Sequence, residues 1–233
     1  MVLRVLLHTV AASVMLYGYT SLSRLEVFGQ WVEAQYGGHS QYLTINGLFA
    51  AVLVMISGVL IDLVGIASPS AVTRQMSPAM KQLIKTKRLL LLIAMPISVV
   101  VAAVYWPLII FWPHLMLAQL PSDEPTLDSP ATLFRIPADI DIPLHGLPGP
   151  FLLLDFFLFE QKFSRRAMDR IAPLLAIILA VTYSVWVEYC ASRNGYFPYP
   201  FLTTNTLLIR AVIYATCTMF SVASIRLVNW LHR

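Results

Sequence analysis

Two polar side chains within apolar stretches are suited to nucleophilic chemistry: the hydroxyl of Thr44 and the imidazole of His145. Polar groups in lipid-spanning segments are costly, and a histidine there favours a functional role. A neutral imidazole can accept the proton of a hydroxyl, which makes the oxygen a better nucleophile. Both residues also have structural interpretations, because a threonine in a membrane helix commonly bonds the carbonyl one turn back and a histidine can form a structural hydrogen bond.

The two residues are expected at matching depth in a membrane. Thr44 lies about four residues into one predicted span and His145 about two to four residues into another of the same direction, so both lie roughly 3–6 Å below the outer boundary. Gly47, one helical turn after Thr44, leaves space beside its hydroxyl. Pro148 and Pro150 interrupt regular helix after His145. Because irregular backbone at membrane depth is tolerated where it lines a cavity, we expect a small pocket that opens outward.

Further residues are assigned to this pocket by depth. The predicted fifth span brings Tyr183 and Glu188 to the outer side, and the sixth begins there with Arg210. Glu188 could instead pair with an arginine, either Arg193 or Arg210. If Pro143 is the first helical residue, the free N–H groups of the following residues could bind an anion. The predicted site therefore has Thr44 and His145 as catalytic residues and, as pocket residues, Gly47, Gly146, Tyr183, Glu188 and Arg210.

Other polar and aromatic residues receive structural interpretations. Asp155 lies about 15 Å deeper than His145 and could pair across helices. Asp62 and Glu160 lie near the opposite membrane face, where we expect them to be solvated. The aromatic clusters at 105–106 and 196–199 are expected to form interfacial belts.

The composition requires that these residues sit in a membrane protein. Of 233 residues, 58% are apolar and 12% are charged, against roughly 25% charged residues in a typical globular chain. A helix needs about 20 apolar residues to span a bilayer. The predicted fold is all-α and polytopic, a single transmembrane domain over residues 1–233 with six helices at about 2–19, 41–66, 89–110, 143–160, 171–190 and 206–230.

The basic residues set the predicted orientation. Five Lys and Arg residues lie in the 67–88 connection and four in 161–170, whereas each other connection holds one. The positive-inside rule places both basic connections, and with six spans both termini, in the cytosol. The net charge of +4 is spread between apolar runs, so no nucleic-acid partner is expected. The five histidines show no ligand spacing, and neither a metal nor another cofactor is expected.

Four sequence blocks, in order, resemble the androgen-induced / androgen-dependent TFPI-regulating protein family. The first is QYGGHSQYLT at 35–44 with an apolar run that ends in LIDL at 60–63. The second is KQLI at 81–84, which leads into a span with Pro96 and a Tyr-Trp pair. The third is His145-Gly146, and the fourth is YSVWV at 183–187 with GYFPYPF at 195–201. Together they cover most of the chain from about residue 35 to 201.

The resemblance implies a six-helix intramembrane hydrolase that cleaves fatty-acid esters of hydroxy fatty acids with a threonine nucleophile and a histidine. Thr44 and His145 are the matching positions. Leu144 replaces a polar residue that often precedes the histidine, and the turn at 148–150 is distinctive. These departures bear on substrate preference and oxyanion geometry. The implied partners are the lipid ester and membrane lipids, and the implied location is the endoplasmic reticulum or another endomembrane rather than the plasma membrane.

Two other functions remain open from the sequence. In the first, the same pocket binds a fatty acid or sterol without chemistry, as in a carrier or sensor, and His145 only forms hydrogen bonds. In the second, the protein is a scaffold whose basic connections bind partners or anionic lipids.

Overall fold

The regular structure of the chain is helical. A computed structural model describes residues 2–67, 76–117 and 134–232, and no strand occurs among them, which confirms the predicted all-α class. The helices are α1 (Val2–Ser21), α2 (Glu26–Glu33), α3 (Leu43–Ala67), α4 (Pro78–Phe111), α5 (Pro113–Met116), α6 (Ala138–Asp141), α7 (Pro148–Phe159), α8 (Ala172–Asn194), α9 (Pro200–Thr203) and α10 (Leu207–Leu231). Short 3₁₀ turns cover Leu22–Arg24 and Gly38–Gln41, and π turns cover Ile142–Gly146 and Ala167–Ile171.

Five helical segments of the described chain are long and apolar enough to cross a membrane. They are Val2–Arg24, Leu43–Ile66, Pro78–Phe111, Ala167–Asn194 and Leu207–Leu231. The segments Ala138–Gly146 and Pro148–Phe159 pass the same test together with a 42° bend between them, which gives six spans if the bent pair counts as one. The protein is an integral membrane protein. The cytosolic location of the termini stays a prediction.

The bent span begins earlier than the sequence predicts. The N–H groups of Ile140 and Asp141 donate to the carbonyl of Pro137 at 3.0 and 2.8 Å, so the first turn forms at Ala138. The π turn follows, and its end is marked by the Leu147 N–H, which donates five residues back at 3.0 Å. The premise that Pro143 is the first helical residue is therefore wrong. His145 lies about two turns inside the span, where it is not a helix-start anion donor.

Helices α1, α3, α4 and the bent span form the closely packed part of the bundle. Glycines allow the closest approaches: a Cβ at Gly18 would lie 2.7 Å from the Cβ of Pro143, and one at Gly47 would lie 2.6 Å from the side chain of Ile97. Helices α8 and α10 bury few residues, and most of their large apolar side chains are exposed to the surroundings. This exposure suits contact with lipid chains.

A buried charge network joins the packed helices at the end opposite Thr44. The two ring nitrogens of His8 lie 2.8 Å from carboxylate oxygens of Asp62 and Asp155. The ammonium of Lys87 donates to Asp155 at 2.9 Å and to Glu160 at 2.8 Å. The predicted pairing of Asp155 across helices is confirmed.

The expectation that Asp62 and Glu160 are solvated is wrong. The side chain of Asp62 is fully buried and that of Glu160 is 11% exposed. Both carboxylates have a second cationic partner, because Arg4 pairs with Asp62 and Arg88 donates to Glu160 at 2.9 Å. A carboxylate near a membrane face can be buried when neighbouring helices supply paired cations.

We expect Gly58→Ala to lower the thermal stability of the protein in detergent. A Cβ at Gly58 would lie 2.6 Å from Cε1 and Nδ1 of His8, whose ring is held on both sides by carboxylates and cannot move away. Overpacking of this kind costs about 1–3 kcal/mol. The matched control is Gly65→Ala on the same helix, where nothing lies within 4 Å of the new Cβ. Equal melting temperatures for the two variants would contradict the prediction.

Candidate active site

Thr44 lies buried in the first turn of α3, whose start is fixed by two tyrosines. The Leu43 N–H donates to the Tyr199 hydroxyl oxygen at 2.9 Å, and the Tyr183 hydroxyl donates to the Gln41 carbonyl at 2.9 Å. The Tyr199 hydroxyl lies beside the hydroxyl of Thr44. The 195–206 connection and α8 therefore position the helix start that carries Thr44.

His145 lies in the π turn and is held on three sides. Its Nδ1 lies 2.7 Å from Oδ1 of Asp141, a residue that is only 2% exposed. The ring of Tyr105 stacks on the imidazole with centroids 3.5 Å apart, and the Trp106 indole donates to the His145 carbonyl at 3.3 Å. A proton on Nδ1 that is donated to a carboxylate leaves Nε2 as the acceptor nitrogen. The ring is therefore oriented and has one nitrogen available as a base.

Thr44 and His145 line the same two cavities, although separate helices carry them. The smaller holds about 210 Å³ and is also lined by Gly47, Ser98 and Pro148. The larger holds about 680 Å³ and continues past Tyr42 and His39. The structure thus brings the hydroxyl, the imidazole and Gly47 to one cavity, but the side chain of Ile97 fills the space beside Gly47 that was expected to be free.

A third and larger cavity of about 1150 Å³ also reaches Thr44. It extends between α3, α4, α8 and α10, and Tyr183 and Tyr199 line it at the Thr44 end. Most of its other lining residues are aliphatic. Thr44 therefore stands where an apolar chamber meets the cavities shared with His145.

One polar residue that lines the cavity of about 680 Å³ lies outside the predicted spans. His39, in the 3₁₀ turn before α3, lines this cavity. Burial lowers the pKa of His39 below its ordinary value, and the charge of Glu33 opposes this shift. The ring is therefore neutral at pH 7, and it can bind water or a polar ligand group.

Two of the predicted pocket residues pair with each other instead of lining these cavities. Arg210 forms a bidentate pair with Glu188, with both N···O distances 2.7 Å, and the Tyr214 hydroxyl donates to the same carboxylate at 3.1 Å. Gly146 lies against Trp106, whose ring would be 3.5 Å from an added Cβ. Among the three cavities, Glu188, Arg210 and Gly146 are not lining residues.

The sequence analysis did not identify three residues that surround the catalytic candidates. Asp141 precedes His145 by one helical turn, a spacing that would have indicated the contact if the helix had been predicted to start at 138. Tyr105 and Tyr199 were interpreted as interfacial belt residues. No sequence signal distinguishes a belt tyrosine from one that faces a cavity, because both occur near the ends of apolar stretches.

The fold and this arrangement define a helical integral membrane protein with a buried threonine, histidine and aspartate at one end of the bundle. The sequence pattern described as FAR-17a/AIG1-like protein matches residues 3–233. The chain belongs to this family, which confirms the resemblance found in the sequence.

Two relatives are named as membrane proteins. A UPF0641 membrane protein of Schizosaccharomyces pombe is 26% identical over 229 residues, which cover 97% of this chain and 89% of the relative. A UPF0641 membrane protein of Saccharomyces cerevisiae is 27% identical over 173 residues, which cover 72% of this chain and 66% of the relative. No solved structure matches the chain significantly.

Proposed function

We propose that the protein is an intramembrane hydrolase of fatty-acid esters of hydroxy fatty acids, with Thr44 as nucleophile and His145 as base. The observation that carries the proposal is that Thr44 and His145 line the same cavities while buried Asp141 orients the histidine. A hydroxyl, a base and a group that orients the base form the set that nucleophilic acyl transfer requires. The substrate class comes from the family resemblance.

In the proposed first step, Nε2 of His145 accepts the proton of the Thr44 hydroxyl as Oγ1 attacks the ester carbonyl carbon. The resulting oxyanion accepts a hydrogen bond from the Tyr199 hydroxyl, which lies beside Thr44 and already accepts the Leu43 N–H. The intermediate collapses to an acyl-threonine. The hydroxy fatty acid leaves as an alcohol and takes the proton from His145.

The second step repeats this chemistry with water. A water molecule in the cavity that His39 lines gives a proton to Nε2 and attacks the acyl-threonine carbonyl. The second intermediate collapses, Thr44 regains its proton from His145, and the fatty acid is released. Asp141 stabilises the imidazolium that forms in each step, because its carboxylate faces the Nδ1–H.

The test is covalent labelling of purified protein with a fluorophosphonate probe, followed by mass-spectrometric identification of the site. We expect one label, on Thr44, that disappears in Thr44→Ala and His145→Ala. The matched control is Thr216→Ala, because the Thr216 hydroxyl only donates to the Val212 carbonyl on α10 and faces outward. The unmodified protein and Thr216→Ala, which keep the label, should also hydrolyse a branched fatty ester. Tyr199→Phe should slow this hydrolysis.

Full turnover of the ester by Thr44→Ala or His145→Ala would contradict the proposal. Absence of any Thr44-dependent label, together with retained binding of a fatty acid, would support the non-catalytic carrier instead. The predicted endomembrane location is tested separately, by imaging the tagged protein.

A further inference from the structure

The cavity of about 1150 Å³ has a polar end and an apolar end, and the residues that line the apolar end are buried. Thr44, Tyr183 and Tyr199 line it at one end, whereas Leu92 and Ile225 line it at the other. Among the described residues, no Lys, Arg, Asp or Glu lines this cavity. Because an unpaired charge is costly in such surroundings, the cavity suits a hydrocarbon chain and not a carboxylate.

The length of this cavity follows from the helices that form its walls. Its lining residues run from Tyr183 to Ala172 on α8 and from Tyr105 to Leu92 on α4. At 1.5 Å per residue these walls are about 16 and 20 Å long. An extended hydrocarbon chain advances about 1.3 Å per carbon, so a wall of this length matches roughly 12–15 carbons beyond the reacting carbonyl.

Small side chains on α8 create much of this space. Ala172, Ala176 and Ala180 follow one another at intervals of four residues, so they share one face of the helix, and all three line the cavity. Between them, Ile177 and Ile178 face outward and are 54% and 51% exposed, whereas Leu175 and Leu179 also line the cavity. The alanine face therefore keeps open a channel that runs from Thr44 towards the far end.

We infer that this cavity binds the acyl chain of the ester that Thr44 attacks, and that its depth limits the preferred acyl group to about 13–16 carbons. The inference rests on the proposed function, because the carbonyl must lie at Thr44 for the chain to enter here. The leaving hydroxy fatty acid carries a carboxylate, which the uncharged lining of this cavity disfavours, so this part of the ester must lie in the cavity that His39 lines. An acyl chain that is longer than the cavity keeps the ester carbonyl from reaching the Thr44 hydroxyl.

The test uses esters of one hydroxy fatty acid with saturated acyl groups of 8 to 18 carbons. For the unmodified protein, kcat/KM should be highest at about 13–16 carbons and fall at 18. In Ala176→Phe the ring blocks the cavity about 10 Å from Tyr183, so the optimum should move to about 8–10 carbons. Ala180→Phe should shift it further towards short chains. The matched control is Ile177→Phe, which places the same ring on the outer face of the same helix.

A second measurement separates this inference from the proposed function. Fatty acids of 10 and 16 carbons with a photoreactive group at the chain end are crosslinked to the protein, and the labelled residues are identified. The longer probe should label residues around Ala172 and Ile225, and this label should be lost in Ala176→Phe but not in Ile177→Phe. If Ala176→Phe unfolds, the milder Ala176→Leu variant replaces it. This variant should also shift the chain-length optimum towards shorter chains and weaken crosslinking by the longer probe.

The outcomes differ for the two proposals. An unchanged chain-length optimum in folded Ala176→Phe, with hydrolysis intact, would overturn the inference and leave the hydrolase standing. Crosslinking that depends on chain length and on residue 176, in a protein without hydrolytic activity, would support the acyl-chain cavity and overturn the hydrolase.

Discussion

Replacement of Asp141 by asparagine is expected to lower kcat for ester hydrolysis by about 100- to 10,000-fold, with a smaller effect on KM. The carboxylate lies 2.7 Å from Nδ1 of His145 and fixes the proton on that nitrogen. An asparagine amide can donate to Nδ1 instead, which would place the ring proton on Nε2 and remove the base from Thr44. The residue is thus a positioning residue, because it acts through His145.

The matched control for this variant is Asp139→Asn. Asp139 lies two residues away on the same helix and is exposed, with only a long 3.4 Å contact from the Tyr17 hydroxyl. Both variants should keep the melting temperature close to that of the unmodified protein, and only Asp141→Asn should change the pH profile of kcat. Equal kcat values for the two variants would show that Asp141 has no catalytic influence.

Replacement of Lys87 by methionine is expected to lower the free energy of unfolding by about 3–5 kcal/mol. The Lys87 ammonium is 4% exposed and donates to both Asp155 and Glu160. Methionine fills a similar volume but leaves both buried carboxylates with less compensating charge. Removal of one member of a buried ion pair is costly for this reason.

The measurement is thermal or chemical unfolding in detergent, with Lys85→Met as the matched control. Lys85 lies two residues earlier on α4 and is exposed, so its replacement should change stability by less than about 0.5 kcal/mol. A Lys87→Met protein as stable as the control would indicate that water or lipid headgroups compensate the carboxylates. The loss should extend to ester hydrolysis only above the lowered melting temperature, because the network lies at the far end of the bundle.

The apolar stretches located the spans well because a bilayer demands long runs of apolar side chains. The predicted span at 206–230 coincides with α10, whereas α4 begins at Pro78, before the predicted apolar start at residue 89. Helices continue beyond the lipid core into polar regions, where hydropathy no longer marks them. The boundary of the bent span was missed because a π turn contains Pro143 within the helix, and the pattern of prolines does not distinguish this from a helix start.

The sequence predicts which residues of the candidate site lie close together only where their depth in the membrane decides this. Thr44 and His145 were predicted at matching depth in spans of the same direction, and the structure places them on shared cavities. The pairing of His8 with Asp62 and Asp155 depends on how each helix is rotated about its axis. Rotation is set by packing of many side chains, which one sequence does not reveal.

The ion pairs of the described residues fall into two groups of helices. Within the described residues, ion pairs connect α1, α3, α4 and the bent span, and another pair connects α8 with α10. At the C-terminal end of α10 the two groups are joined by hydrogen bonds: Lys162 donates to the His232 carbonyl at 3.0 Å, and Nε2 of His232 lies 3.1 Å from the Phe156 carbonyl. At the Thr44 end the contacts between the two groups are chiefly apolar or neutral, such as the hydrogen bond from Tyr183 to the Gln41 carbonyl. In a bilayer, lipid tails replace such contacts with little loss. We therefore expect a molecule dissolved in the membrane to reach Thr44 sideways, between these helices, without passing through water.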